Sequence, residues 1–512
     1  MDESSTLEEL LKRRASTRDA ARANAVAARH AAGRRTAREN IEDLVDEGSF
    51  LEYGGLATAA QEQHRSVEEL IERTPADGLV AGTARVNGAP CAVLSYDYLV
   101  LAGTQGMRGH RKTDRLLGLV DRMRLPVVFF AEGGGGRPGD TDYPVVSALD
   151  VRTFALWARL SGVVPRITVV AGRCFAGNAV IAGSSDLIVA TRDANLGMAG
   201  PAMIAGGGLG HFTPEEIGPI DVQTRNGVVD VAVADEVEAV AVARRLLGYF
   251  QGTATPGDAP DQRVLRTVVP ERERTAYDVR PIVTTLADDG SVTFLRERFA
   301  PELVTALVRV EGRTVGVMAN QTTHMAGAIT SDGADKAARF LQLCDAFGFP
   351  VVSLVDTPGI MVGPDAERTA LVRHSSRLLV AGARLQVPLI GVVLRRGYGL
   401  GAQAMLGGST HEPLLTVAWP GAHLGPMGLE GAVRLAMRKQ LDAIPEPDER
   451  ERTVRALTEL YRERAKALNA ARVFEIDDVI DPAQTREVVA SALTTAAAAG
   501  RLSGSGRPVD TW

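Results

Sequence analysis

Two short stretches of the chain have the composition to bind an oxyanion through backbone alone. Gly172 to Val180 reads GRCFAGNAV and Arg395 to Met405 reads RRGYGLGAQAM; each follows an apolar run, ITVVAG led by Pro165 and LIGVVL led by Pro388. A strand that ends in a small-residue turn and opens a helix leaves its first N–H groups unpaired and directed outward, where they can hold a phosphate or the oxygen of a polarised carbonyl. In the first stretch that N–H pair falls at Gly177-Asn178, and in the second at Leu400-Gly401, with Ala402 the neighbouring candidate. Small side chains here let a substrate approach the backbone closely.

Other chemistry is scarce. Gly133 to Gly136, followed by Arg137, could cradle a phosphate or a carbonyl oxygen, and Asp356 to Gly359 reads DTPG, like a GTPase switch. Neither is joined by a P-loop lysine motif, so a nucleotide-hydrolysing site is excluded. No GxSxG elbow and no HExxH helix occurs, and His110, His211, His324, His374 and His423 are scattered. Glu132 and Asp356 follow two apolar runs at equivalent places, where a general-acid role competes with an N-cap or turn role.

The two turns belong to a longer repeat. Pro165 and Pro388 stand 223 residues apart and Gly177 and Gly401 stand 224 apart; Arg85, Gly88 and Pro126 match Arg309, Gly312 and Pro350 at 224. ARVNGAPCAVLSYDY parallels VRVEGRTVGVMANQ, LPVVFFAEGGGG parallels FPVVSLVDTPGI, and LGMAG from Leu196 parallels LGPMG from Leu424. This is the signature of a duplicated domain. The Gly-, Pro- and Asp-rich run from Gln251 to Gln262 reads as the linker, dividing the chain into 1–255 and 256–512.

The elements that must carry these turns follow from periodicity. Thr6 to Val45 reads as a helical hairpin interrupted at Gly33, and Arg34 and Arg38, four apart with Arg35 beside them, would share a helical face, either a solvated one or one that binds an anion. From Gly78 the pattern changes to β-branched runs between Gly and Pro turns: a hairpin around Asn87-Gly88, an amphipathic helix from Thr113 to Arg124, then the buried strand PVVFFA. The second copy repeats hairpin, helix from Ser331 to Phe347, strand VVSLV, turn, helix from Ala366 to Ala381, strand, turn and helix. Two α/β units result. Glu446 to Thr495 reads as helix, and the terminal GSGRPVDTW as a loose end.

Composition narrows the class further. A chain of 512 residues, 45% hydrophobic, exceeds a single core. With 57 Lys and Arg against 63 Asp and Glu, net charge −6, it carries no global basic field for nucleic acid. Three distant cysteines, Cys91, Cys174 and Cys344, form no CxxC pair, which argues against a zinc site and a disulfide framework and predicts a cytoplasmic protein. No apolar run approaches the roughly 18 residues that span a bilayer, and Asp2, Glu3, Glu8 and Glu9 are wrong for a transit peptide.

The series GRCFAGNAV, GPAMIAGGGLG, DKAARFLQLCDAFGFPVVSLVDTPGI, LVRHSSRLLVAGA, RRGYGLGAQAM and VAWPGAHLGPMGLEGAV, in order from about Arg34 to Asp481, resembles the carboxyltransferase component of biotin-dependent acyl-CoA carboxylases. The resemblance implies two crotonase-like domains, each a ββα superhelix, in a homohexamer built as a trimer of dimers. The first domain holds the acyl-CoA and the second holds carboxybiotin, with the active site between domains of different subunits. Carried over, Gly177 and Asn178 bind the thioester oxygen as it becomes an enolate, and Leu400 and Gly401 hold the ureido carbonyl of biotin. Gly134 and Gly135, with Arg34 and Arg38, take the CoA; Gly359, Ile360 and Ala402 line the biotin side. Carboxybiotin releases CO₂, the biotin enolate takes the α-proton, and the carbanion attacks CO₂. Neither a metal nor a side-chain nucleophile is required.

Departures from the family pattern matter. Gly177-Asn178 replaces a Gly-Gly pair, so Asn178 is expected to narrow the mouth; EGGGGR replaces SGGAR; GYGLGAQAM is nearer the methylcrotonyl-type form, with Gln403 at a specificity position. Chain length of the acyl group stays open. No biotinyl-lysine motif surrounds Lys12, Lys112, Lys336, Lys439 or Lys466, so the resemblance implies a separate biotin carboxyl carrier and biotin carboxylase. The runner-up readings are a decarboxylase running the same site in reverse and a non-catalytic scaffold subunit.

Overall fold

The computed structural model describes residues 3–143, 147 and 149–512. Two compact units divide at Gln251 and Gly252, within the Gly-, Pro- and Asp-rich stretch. The first contains β1 (Leu51–Glu52), β2 (Leu79–Val86), β3 (Ala89–Tyr96), β4 (Val127–Phe130), β5 (Arg166–Val170), β6 (Arg173–Phe175), β7 (Leu187–Thr191), β8 (Asn195–Gly197) and β9 (Val231–Val233). Its main sheet runs β1-β2-β3-β4-β5-β7-β9, and β6 and β8 form a small parallel pair apart from it.

The hairpin forms as expected. Val86 pairs with Ala89 across Asn87 and Gly88, both at positive φ (53° and 81°), the geometry whose twist suits antiparallel strands. From β3 onward every pairing in this sheet is parallel. The runs VVFF, RITVV and LIVAT are buried throughout, as strands covered on both faces must be.

The second unit repeats the plan with β10 (Thr293–Leu295), β11 (Leu303–Val310), β12 (Arg313–Asn320), β13 (Val351–Thr357), β14 (Leu389–Tyr398), β15 (Leu415–Ala418), β16 (His423–Gly425) and β17 (Asp478–Val479). Its order, β10-β11-β12-β13-β14-β15-β17 with β16 on β14, matches the first sheet strand for strand. One difference is informative. Where the first unit breaks into β5 and β6 at Gly172 (φ 106°), the second runs β14 unbroken for 10 residues.

Each unit hangs a 17-residue helix between its hairpin and its first inner strand, Met107–Met123 and Ser331–Phe347. Both end on a left-handed residue, Arg124 (φ 54°) and Gly348 (φ 79°). The first starts six residues before the expected Thr113, because Asp140 Oδ2 accepts the Met107 N–H at 2.8 Å, a long-range cap that periodicity does not register. The predicted helix from Ala366 splits into Pro364–Glu367 and Leu371–Ala383 around left-handed Ala370. Cores form around Leu94, Phe129 and Trp157 in the first unit and around Val317, Leu354 and Val392 in the second.

Both ends of the chain differ from expectation. The N-terminal hairpin is instead three helices, Glu3–Ser16, Ala23–Ala31 and Ala37–Leu44. The last begins at a capping box in which Thr36 Oγ1 accepts the Glu39 N–H (3.1 Å) while Glu39 accepts the Thr36 N–H (2.8 Å). The C-terminal segment is tied down rather than loose. Ser505 N donates to the Asp345 carbonyl at 2.8 Å, Asp510 pairs with Arg377 at 2.6 Å, and Val509 is buried. Gly348 and Gly504 make this possible, since a Cβ on Gly348 would lie 2.8 Å from the Gly504 nitrogen.

Candidate active site

The first turn leaves β6 at Phe175, passes through Ala176 in a strained conformation (φ 51°, ψ −122°), and opens the Gly177–Gly183 helix. Ala176 N donates to the Gly197 carbonyl of β8 (3.2 Å), which fixes the turn. The N–H groups of Gly177 and Asn178, in the first turn of the helix, have no intrahelical acceptor. Glycine at 177 leaves room for the Gln105 amide, since a Cβ there would press on Gln105 Oε1 and lie 3.1 Å from Phe154.

The Gly133 to Gly136 loop is laced to this turn. Gly133 N donates to the Arg173 carbonyl (2.7 Å) and Phe175 N returns a bond to the Gly133 carbonyl (2.9 Å). Gln105 N then donates to the Gly135 carbonyl (2.7 Å). Asn178 does not narrow the mouth. Its side chain is fully buried, with Oδ1 accepting the Gly135 N–H at 3.0 Å, so it clamps the glycine loop from beneath. That bond commits the Gly135 N–H.

The second turn follows β14 at Tyr398 and opens the Gly399–Met405 helix. Strand pairing sets the correspondence: Arg173 to Phe175 pair with Asn195 to Gly197 as Arg396 to Tyr398 pair with His423 to Gly425. That is a shift of 223, not the 224 that aligns Gly177 with Gly401. Ala176 therefore matches Gly399, and both have positive φ, 51° and 57°. Gly177-Asn178 then superposes on Leu400-Gly401, so the two N–H pairs occupy one position in the duplicated fold. A Cβ on Gly401 would lie 2.6 Å from the Gly359 carbonyl carbon. Gly359 is held as Gly135 is: Ile329 N donates to its carbonyl (3.1 Å), and Met361 N donates to the Ile329 carbonyl (2.9 Å) as Arg137 N does to Gln105 (2.9 Å). Ile360 bridges Ile329, and Ala402 is buried behind the turn.

Behind each glycine loop lies a buried carboxylate. Glu132 is held by Arg29, and burial outweighs that guanidinium to push its carboxyl up to about 7. Asp356 takes Arg395 Nε at 3.0 Å, Arg396 Nε at 2.6 Å and the Tyr277 hydroxyl at 2.9 Å. Both carboxylates are held by arginines within the fold rather than by an N-cap or turn bond.

A matched pair of interior lysines escaped the sequence reading, though their spacing of 224 was visible. Lys112 Nζ donates to the carbonyls of Ala76 (2.8 Å) and Leu79. Lys336 Nζ reaches those of Arg296 (2.9 Å), Phe299 (2.8 Å), Ala300 (3.4 Å) and Leu303 (2.6 Å). They hold left-handed turns at Ala76 (φ 56°) and Ala300 (φ 43°) that launch β2 and β11.

The arginine face expected at the N-terminus does not form. Arg34 precedes the Ala37–Leu44 helix instead of riding on it, and pairs with exposed Asp193 at 2.9 Å. Arg38 is turned inward and buried, giving two 3.0 Å bonds to Glu52 and one of 2.9 Å to the Thr17 carbonyl, so its guanidinium is spent on the fold rather than presented on an outer face. Among the described residues no group of three or more His, Cys, Asp or Glu could hold a metal. No described helix is long and apolar enough to cross a membrane.

Comparison with known proteins agrees with this architecture. A family model for the carboxyl transferase domain matches residues 28–504. The methylmalonyl-CoA carboxyltransferase 12S subunit of Propionibacterium freudenreichii subsp. shermanii is 33% identical over 479 residues, 91% of this chain and 89% of that one. The solved structure of a transcarboxylase 12S hexamer with methylmalonyl-CoA and methylmalonic acid bound is 30% identical, with a TM-score of 0.86 over 97% of this chain and 96% of that one. A single-chain, multi-domain long-chain acyl-CoA carboxylase is 56% identical with a TM-score of 0.91; it covers 95% of this chain, which spans about half (48%) of that longer polypeptide. Two matched turns on a duplicated α/β frame, and a family match over nearly the full length, lead to one conclusion: the chain belongs to the carboxyl transferase domain family.

Proposed function

We propose that the protein transfers a carboxyl group between biotin and an acyl-CoA, with the first unit taking the thioester and the second the biotin. The observation that carries this reading is the equivalence of Gly177-Asn178 and Leu400-Gly401, two pairs of first-turn N–H groups that find no backbone acceptor among the described residues, at one position of a duplicated fold. Both halves of such a transfer concentrate negative charge on one oxygen, the thioester oxygen in enolisation and the ureido oxygen in decarboxylation. A preset backbone donor aimed at such an oxygen is worth about 3 kcal/mol.

Carboxylated biotin, delivered by a biotin carboxyl carrier protein that a biotin carboxylase has loaded, supplies the CO₂ and a base for the α-proton. This chain's residues hold the two oxygens. Gly177 and Asn178 bind the thioester oxygen and Leu400 and Gly401 the ureido oxygen, with the Gly359 backbone packed directly against Gly401. Gly134, Gly135 and Arg34 border the CoA path and Ile360 and Ala402 the biotin path. Assembly as a homohexamer and a place in cytoplasmic fatty acid metabolism complete the reading.

A long acyl chain suits the surface beside the first turn. Met198, Met203 and Leu209 follow β8 and are 70%, 64% and 74% exposed, an apolar strip next to the backbone that Ala176 grips. It supports a long-chain substrate, as in the name of the 56%-identical relative.

The test is the transfer run in reverse: purified protein, free biotin and a panel of malonyl-, methylmalonyl-, methylglutaconyl- and long-chain 2-carboxyacyl-CoA. Biotin-dependent release of decarboxylated acyl-CoA, fastest with the long chain, is expected. Absence of turnover across the panel by protein that binds CoA would overturn the assignment.

A further inference from the structure

One polar side chain at the first turn has no counterpart in the second. Gln105 is 4% exposed, and its backbone clasps the glycine loop from both sides. At the equivalent place, with the same two backbone bonds, the second unit has Ile329. The exchange is reciprocal. Gly177 in the first unit leaves space that the Gln105 amide enters, whereas its counterpart Leu400 projects a side chain 62% exposed in that direction. The direction that Leu400 takes leads out of the fold, so the Gln105 amide sits at the root of the opening beside the Gly177 and Asn178 N–H groups.

One orientation of that amide leaves its hydrogen bonds incomplete. Gln105 Nε2 donates to the Tyr96 hydroxyl at 3.0 Å, Tyr96 is buried, and among the described residues its own proton finds no acceptor. Gln105 Oε1, against Gly177, accepts nothing among the described residues. The two orientations of a carboxamide have the same shape. Turned over, Oε1 accepts the Tyr96 proton, which satisfies a buried hydroxyl that is otherwise left without an acceptor, and Nε2 faces the Gly177 turn.

We propose that Gln105 is a catalytic hydrogen-bond donor: held by Tyr96, its Nε2 joins the N–H groups of Gly177 and Asn178 on the thioester oxygen of the acyl-CoA as that oxygen gains charge. The inference rests on the reading of this turn as the thioester site. The proton stays on nitrogen throughout, so the step is electrostatic and adds no reactant. A side-chain donor here gives the acyl half three donors, where Ile329 leaves the biotin half with backbone alone.

The decisive experiment compares wild type with Gln105→Met and Gln105→Glu in the biotin-dependent decarboxylation, using the member of the carboxyacyl-CoA panel that wild type turns over fastest. Thermal melting confirms the fold of each variant. Gln105→Met keeps the shape and removes the donor, so kcat should fall by about 10² with KM within about threefold, since the bond strengthens only as charge develops. Gln105→Glu should be slow at pH 8 and recover as pH falls and the protonated acid again donates, a profile that packing alone does not produce. A folded Gln105→Met with kcat within twofold of wild type overturns the proposal. If Gln105→Met does not fold, absence of recovery by folded Gln105→Glu at any pH down to 5 overturns it equally. No turnover by wild type itself would overturn the carboxyl-transfer reading, and this inference with it.

Discussion

The two units are alike in backbone and unlike in the few side chains that face the turns. The glycine loop and the residue that clasps it recur with matching hydrogen bonds, and a buried lysine lies behind each hairpin, on two carbonyls in the first unit and four in the second. At the turn the first unit places Ala176-Gly177-Asn178 after a strand broken at Gly172, and the second Gly399-Leu400-Gly401 after a continuous one. Gly172 permits the break because a Cβ there would collide with Glu132, the carboxylate that has one arginine where Asp356 has two. Duplication preserved the means of presenting N–H groups, and divergence in a handful of side chains set what each pair meets.

The largest expected effect comes from breaking one turn at a time. Gly401→Ala drives a methyl into the Gly359 backbone and should lower carboxyl transfer by about 10² or more while acyl-CoA binding is retained. Gly177→Ala, pressed against Gln105, should instead impair the acyl-CoA half. Steady-state transfer and direct CoA binding, measured on both variants, separate the two; equal loss of CoA binding in both would erase the proposed division of labour.

Next in size is the lysine pair. Lys336→Met strips the donor from four buried carbonyls and should cost about 3 kcal/mol or more, whereas Lys112→Met, with two, should cost less. Denaturant unfolding with separate probes in each unit reads the difference. Equal losses would show that the count of carbonyls is irrelevant.

The smallest effect distinguishes the carboxylates. Glu132 is raised in the fold from 4.5 to about 7, so the folded state holds a proton the unfolded state has released between those values. Stability from this group is full below about pH 4.5 and falls as pH rises to about 7, by up to roughly 3 kcal/mol. Glu132→Gln should flatten that part of a melting-temperature profile against pH. A profile unchanged by the substitution would assign the slope elsewhere.

Much of this was legible in the chain. The hairpin at Asn87-Gly88, the inner strands and the Ser331–Phe347 helix follow from turn chemistry and local periodicity, and the repeat by itself places both turns. The misses share a cause. The early start at Met107 depends on Asp140, the burial of Arg38 on Glu52, and the anchoring of the C-terminal segment on Asp345 and Arg377. Each is a partner distant in sequence. The inward turn of Asn178 and the pairing of Gln105 with Tyr96 are of the same kind.

The amino-acid sequence by itself determined the duplicated α/β order and the place of the two small-residue turns, because these rest on residue type, period and spacing, which local sterics and burial translate directly into structure, and its ordered motifs carried the family resemblance. Tertiary structure alone decided between the offsets of 223 and 224 at the turns, and it alone decided the clamp of Asn178 on Gly135 and the pairing of the Gln105 amide with Tyr96. Those depend on which side chain occupies the space another leaves empty, and no spacing along the chain records that.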